Sequence, residues 1–232
     1  MNYLLISFLG LLWGFIAYKI SDFYAIDLEQ NWLSGQLKIH RMLKKILTDL
    51  TQPIIKKNIK NSIIGYMALS SSLTIGFCYL IELNDWPKLL MLLALLLILL
   101  SIIDLRSKLL PNQFTYPLIL FGIIFNFSNE FIAIENVLFA IALGFLMPYL
   151  LNRVYVMLRK KTGMGLGDAK LYAGIGAWLG VYYLFSVFVI ASLINLIVII
   201  YLMLRGQLKL DTYLPHGPII SLATFLSLIF IP

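Results

Sequence analysis

The sequence predicts an all-α fold, a polytopic transmembrane helical bundle of about eight spans, and two observations carry that prediction. Of its 232 residues 61% are hydrophobic and only 12% charged, with a mean hydropathy of +0.91, whereas about a quarter of a water-soluble domain is charged. Apolar runs of about 20 residues also recur along the chain, long enough to cross the hydrocarbon as helices, and lipid excludes irregular backbone that is not buried in protein.

The first run, 2–20, reads as a retained span, because no polar region with a small-residue cleavage site follows it. Further spans are expected at 63–81, 87–105, 114–128, 131–151, 170–183, 185–204 and 217–231. Two of them, 114–128 and 170–183, are short for a full crossing and imply tilt or locally thinned surroundings. Residues 1–62 form one unit, a first helix and a basic loop, and 63–232 form the main bundle. In the loop, "KIHRMLKKILTDL" repeats Ile39, Met42, Leu43, Ile46, Leu47 and Leu50 at helical spacing, with Lys38, Arg41, Lys44 and Lys45 facing away and Pro53 as a stop. Such a helix lies on anionic headgroups or receives a partner protein or substrate. The single cysteine, Cys78, allows no intrachain disulfide and no multi-cysteine metal site.

Positive charge orients the bundle, since cytoplasmic loops hold the excess of Lys and Arg. Assigning 21–62, 106–113, 152–169 and 205–216 to the cytoplasm, with the adjoining Lys19 and Lys170, collects 17 of the 18 basic residues and leaves out Lys88. The opposite loops carry Glu82, Asp85, Glu130 and Glu135. Topology therefore accounts for the net charge of +7, and nucleic-acid binding is not needed to explain it.

Asp104, in "SIIDLRSKLLPNQFTYPL", ends its span near the cytoplasmic edge of the hydrocarbon, at the helix pole that disfavours an anion. It either pairs with Arg106 or carries chemistry. Pro111 and Pro117 bracket a turn that returns the chain into the membrane. Asp168, in "GMGLGDAKL", begins a span, where an aspartate N-caps well. Gly163, Gly165 and Gly167 permit positive φ and close backbone approach, which suits a loop admitting an extended peptide, or a plain hinge; Lys170 follows on the same turn. Both acids fall on one boundary. If helix ends bring them together, they share a proton, the arrangement that hydrolyses a peptide bond without a metal or a nucleophilic side chain.

Other chemistries find little support. The glycines read G-x-G-x-G with no preceding strand, unlike a nucleotide-binding loop. His40 and His216 have no second ligand at metal spacing, no serine sits in G-x-S-x-G, and Ser101 is expected to bond back to its own helix. Acids for ion or proton transport belong near mid-membrane, and the expected spans hold none there.

"DLRSKLLPNQFTYPL", "GMGLGDAKL" and "LPHGPIISL", in this order over about 85–225, resemble the bacterial prepilin peptidases, membrane aspartyl proteases with a G-x-G-D signature. The G-x-G-D core alone is also similar to that of presenilin-like proteases. The resemblance implies that Asp104 and Asp168 are the catalytic pair. It also implies cleavage of the short basic leader of type IV prepilins or type II secretion pseudopilins at the cytoplasmic face of the bacterial inner membrane. Gly163, Gly165, Gly167, Lys170 and Pro111 would shape the site or position substrate. The expected partners are that substrate and membrane lipids, with no nucleic acid. Many relatives carry two zinc-binding cysteine pairs in the first cytoplasmic loop, and a segment after the first span linked to methyl transfer from S-adenosylmethionine. Here that loop lacks cysteine and "GLLWGFIAYKIS" matches the segment poorly, so no zinc and no cofactor for proteolysis are expected, and methyl transfer is put in doubt. His216 stands where relatives often have an aromatic residue. The alternative reading is an inactive scaffold or assembly factor of a pilus or secretion system.

Overall fold

A computed structural model describes residues 3–31, 72, 74–76, 90–160, 163–205 and 215–230. Among the described residues there are helices and no strand. The continuous helices are α1 (Tyr3–Asn31), α2 (Leu90–Ser107), α3 (Asn112–Asn129), α4 (Ile134–Arg159), α5 (Leu166–Leu204) and α6 (Gly217–Phe230). The chain is an all-helical, polytopic bundle. Residues 6–23 of α1, together with α2, α4 and α5, are long and apolar enough to cross a membrane, and α6 is a shorter apolar helix. The expected amphipathic helix with His40 and Pro53, most of span 63–81, and Cys78 lie outside the described residues.

Several boundaries differ from the sequence reading for identifiable reasons. Residues 152–159, expected in a loop, continue α4 to Arg159. No glycine or proline interrupts "NRVYVMLR", and the helix stops only where Lys160 turns left-handed at φ 54°. Pro111 does precede α3 and caps its start with extended backbone at φ −70°, ψ 140°. Pro117, expected to bracket the turn, instead lies inside α3, near enough to its start that few intrahelical bonds are lost.

The two spans expected at 170–183 and 185–204 are the two arms of α5. Gly180 interrupts its helical geometry with φ 74°, ψ −176°, in the region glycine alone enters at little cost. Sixteen residues of unbroken helix would separate Tyr172 from Phe188 by about 24 Å. Their rings instead stack with centroids 4.1 Å apart, so the chain reverses at Gly180. The broken backbone groups find side-chain partners: Asn136 Oδ1 accepts the Val181 N–H at 2.9 Å, and Asn126 Nδ2 donates to Ala177 O at 2.8 Å and Trp178 O at 3.2 Å.

The first arm of α5 forms the centre of the bundle. Asp168, Ala169 and every residue from Leu171 to Gly180 are buried, whereas the second arm buries a single face through Leu184, Val187 and Ala191. Small residues allow close approach: a Cβ on Gly144 of α4 would stand 2.7 Å from Tyr172 O, and one on Gly176 2.7 Å from Ala140 O. On the α3 side, Phe125 stacks on Trp178 at 5.1 Å. The Trp178 indole donates to Leu118 O at 2.8 Å. Helix α6 packs against both α5 and α2. Helix α1 closes the far side of α2, where Trp13 Nε1 donates to Leu95 O at 2.8 Å.

Candidate active site

Asp104 lies in the last turn of the largely apolar α2, and only 1% of its surface is exposed. Of the two readings of Asp104, pairing with Arg106 is the one the structure does not bear out: Arg106 pairs with Asp22 of α1 at 2.6 Å, donates to Ser21 Oγ at 3.2 Å and stacks over the Tyr18 ring at 4.3 Å. Residues two apart on a helix do not face each other, which separates the two side chains. Asp104 Oδ2 instead accepts the backbone N–H of Gly217 at 2.8 Å. Gly217 is the first residue of α6, so its free N–H points out of the helix end. Ser101 bonds back to Leu97 O at 2.7 Å, as its sequence context predicts, and also to Ser221 of α6 at 2.8 Å.

Asp168 is 2% exposed and occupies the third position of α5, not the cap itself. The cap is Gly165, whose N–H donates to Asp168 Oδ2 at 3.1 Å while the Asp168 N–H returns to Gly165 O at 3.2 Å. This is a capping box closed by backbone, because glycine has no side chain to contribute. Asp104 is near enough to act on Asp168 electrostatically, so the two carboxylates share one buried end of the bundle.

The predicted glycines have unequal roles. Gly165 has φ −77°, ψ 151°, extended backbone open to any residue. Among the described glycines Gly180 alone has positive φ, so the positive φ that glycine permits at 163, 165 and 167 is not used there. Close approach does hold at two of them. A Cβ on Gly167 would stand 2.8 Å from Leu110 Cβ, and one on Gly163 2.9 Å from the Tyr155 ring. The first contact seats the turn carrying Asp168 against the loop that follows Asp104. Lys170 reinforces this junction by donating to Asn112 Oδ1 at 2.6 Å, its ammonium 4.8 Å from the Tyr116 ring centroid. Pro111, next to Asn112, stands at the same junction.

Two contributors escaped the sequence reading. Asn152, assigned to a loop, lies on α4 and its Oδ1 accepts the N–H groups of Gly163 and Met164 at 3.0 and 3.1 Å. Gly217 is signalled only by the glycine of "LPHGP", and nothing local announces a partner 113 positions away. Burial holds the His216 pKa below its ordinary value. Among the described residues no cluster of three His, Cys, Asp or Glu could hold a metal ion.

Fold and site together define a multi-pass helical membrane protein with two buried carboxylates at one end of its bundle. Residues 91–200, which include both, match the type IV leader peptidase family. The prepilin leader peptidase/N-methyltransferase of Aeromonas hydrophila is 34% identical over 140 residues, 60% of this chain and 48% of that relative. Its namesake in Neisseria gonorrhoeae is 40% identical over 107 residues, 46% and 37% respectively. That of Pectobacterium carotovorum subsp. carotovorum is 31% identical over 163 residues, 69% and 57%. The matches thus span about half the length of these curated relatives. No solved structure matches the chain.

Proposed function

We propose that this chain is a membrane-embedded aspartyl endopeptidase that removes the short basic leader of type IV prepilins or type II secretion pseudopilins. Its site faces the cytoplasm across the bacterial inner membrane. The observation that carries the proposal is the pair of buried aspartates, brought from two helices to one end of the bundle inside a type IV leader peptidase segment. The side bearing 17 of the 18 basic residues supports the orientation.

In the proposed reaction the two carboxyls hold one proton between them. The ionised member takes a proton from water, whose oxygen attacks the scissile carbonyl carbon, while the protonated member donates to the carbonyl oxygen. Collapse of the tetrahedral intermediate breaks the C–N bond, with a proton passing to the departing amine. The pair acts as a unit, and the roles are not divided between Asp104 and Asp168. A substrate anchored by its own apolar helix presents its leader near the depth of the acids, which confines the search. Hydrolysis needs water and neither zinc nor another cofactor.

The test is leader cleavage of a co-expressed prepilin by wild type, Asp104→Asn and Asp168→Asn at matched membrane levels. Loss in both variants supports the paired mechanism, and retained cleavage in either overturns it. A wild-type chain that cleaves no prepilin or pseudopilin favours the scaffold reading. The mass of the released pilin's N-terminus reports whether methylation by S-adenosylmethionine accompanies cleavage.

A further inference from the structure

Both aspartates are held in the same manner, although their helices run into the site from opposite ends. Each offers its Oδ2 to one glycine N–H, Gly217 for Asp104 at 2.8 Å and Gly165 for Asp168 at 3.1 Å. An N–H aimed at a carboxylate oxygen fixes the rotation of that carboxyl group and leaves the second oxygen for chemistry. For Asp168 the donor belongs to its own helix. For Asp104 it comes from α6, which lies beyond the family-matched residues 91–200.

We propose that Gly217 is a positioning residue of the site: its backbone N–H and its missing side chain together fix the carboxyl group of Asp104, so that α6 is part of the catalytic apparatus. The inference rests on the peptidase reading. Two properties of position 217 are needed at once. Its N–H must be free, which the first turn of α6 guarantees. Its Cα must also lie against the acid, because a Cβ there would stand 3.0 Å from both Cβ and Oδ2 of Asp104 and 3.2 Å from Cγ. A side chain at 217 therefore displaces the carboxyl group even where the N–H remains. Chemistry then falls to the free oxygens, and Oδ2 of each acid serves as a fixed pivot.

The test compares Gly217→Ala with Ser221→Ala in the full chain, purified in detergent with a prepilin substrate. Ser221 accepts one hydrogen bond from Ser101 of α2 at 2.8 Å, so its replacement removes that single bond and leaves the Gly217 N–H and Cα unaltered. Gly217→Ala is expected to lower kcat by about 10-fold or more with KM within about twofold, as for other lost fixed dipoles. Ser221→Ala should keep kcat within about twofold, since an exchanged side-chain hydrogen bond changes stability more than chemistry. Unchanged kcat in Gly217→Ala, or equal losses in the two variants, overturns the proposal. A second arm needs no activity and no change at 217. Asp104→Asn keeps an acceptor for the Gly217 N–H and should melt near wild type, whereas Asp104→Ala strands a buried donor and should melt about 3 °C lower or more. Equal melting of these two variants also overturns the proposal. A wild type that cleaves nothing defeats the peptidase reading instead, while the melting comparison still decides the contact.

Discussion

The two aspartates reach the same buried end by different routes. Asp168 is held locally: its cap, its turn and its glycine loop lie within six residues of chain, and its orientation follows from starting a helix. Asp104 is held remotely. It lies in the last turn of α2, its oxygen is fixed from α6, and Arg106, the charge nearest in sequence, is drawn off by α1. One carboxylate is thus a property of a motif and the other a property of the packed bundle. Disturbances of distant helices should therefore reach Asp104 first.

The widest test of that contrast is whether the acids remain equal in chemistry. Asp104→Asn and Asp168→Asn should each lower cleavage at least about 100-fold, and the double variant should be no worse than either, because residues acting as a unit are not additive. Unequal losses in a quantitative cleavage assay would assign the proton to one acid. Next in size is the junction between the two holders. Gly167→Val drives a side chain into Leu110 and should cost about 10-fold in cleavage through overpacking. The same assay should show Gly163→Ala losing no more than about threefold, because the Tyr155 ring it meets is on the surface and can turn aside. Asn152 supplies a third comparison. Asn152→Leu removes the acceptor for two loop N–H groups and should slow cleavage about fivefold, while Asn152→Asp, which keeps it, should stay near wild type.

Smaller effects are expected on the Asp104 side from α1. Arg106→Gln removes a half-exposed ion pair and should lower the melting temperature by about 2 °C, with cleavage within about twofold. The least effect concerns pH. Burial lowers the His216 pKa, so as pH falls below about 6.5 the unfolded chain takes up a proton before the folded one does and stability declines. Above that value the contribution is fully present. His216→Phe should lose this part of the acid sensitivity in thermal melts between about pH 7 and pH 5.

Much of this molecule is legible from composition and spacing. The apolar runs set the helical class, and the loop charges and the two acids mark the candidate site. The reversal in α5 was readable as a change of span near 184, displaced by a few residues because Gly180 sits within an unbroken apolar run. Contacts between distant positions were not readable. Nothing near Asp104 points to Gly217, and Asn126, Asn136 and Asn152 look like ordinary polar residues until the backbone groups they serve are seen. Of the two freedoms glycine offers at 163, 165 and 167, positive φ is not used, and the constraint at Gly163 and Gly167 is space. Chain spacing reports periodicity well and proximity across a bundle poorly.

The clamped reversal at Gly180 gives the first arm of α5 the mechanics of a lever. Asn126 and Asn136 pin one end, and Asp168 rides the other, twelve residues or about 18 Å away. A tilt of about 3° about that pin carries the carboxylate about 1 Å along an arc, enough to make or break a hydrogen bond. Rigidity at the buried turn, about 18 Å from the Asp168 carboxylate, therefore sets the tolerance to which the two acids meet.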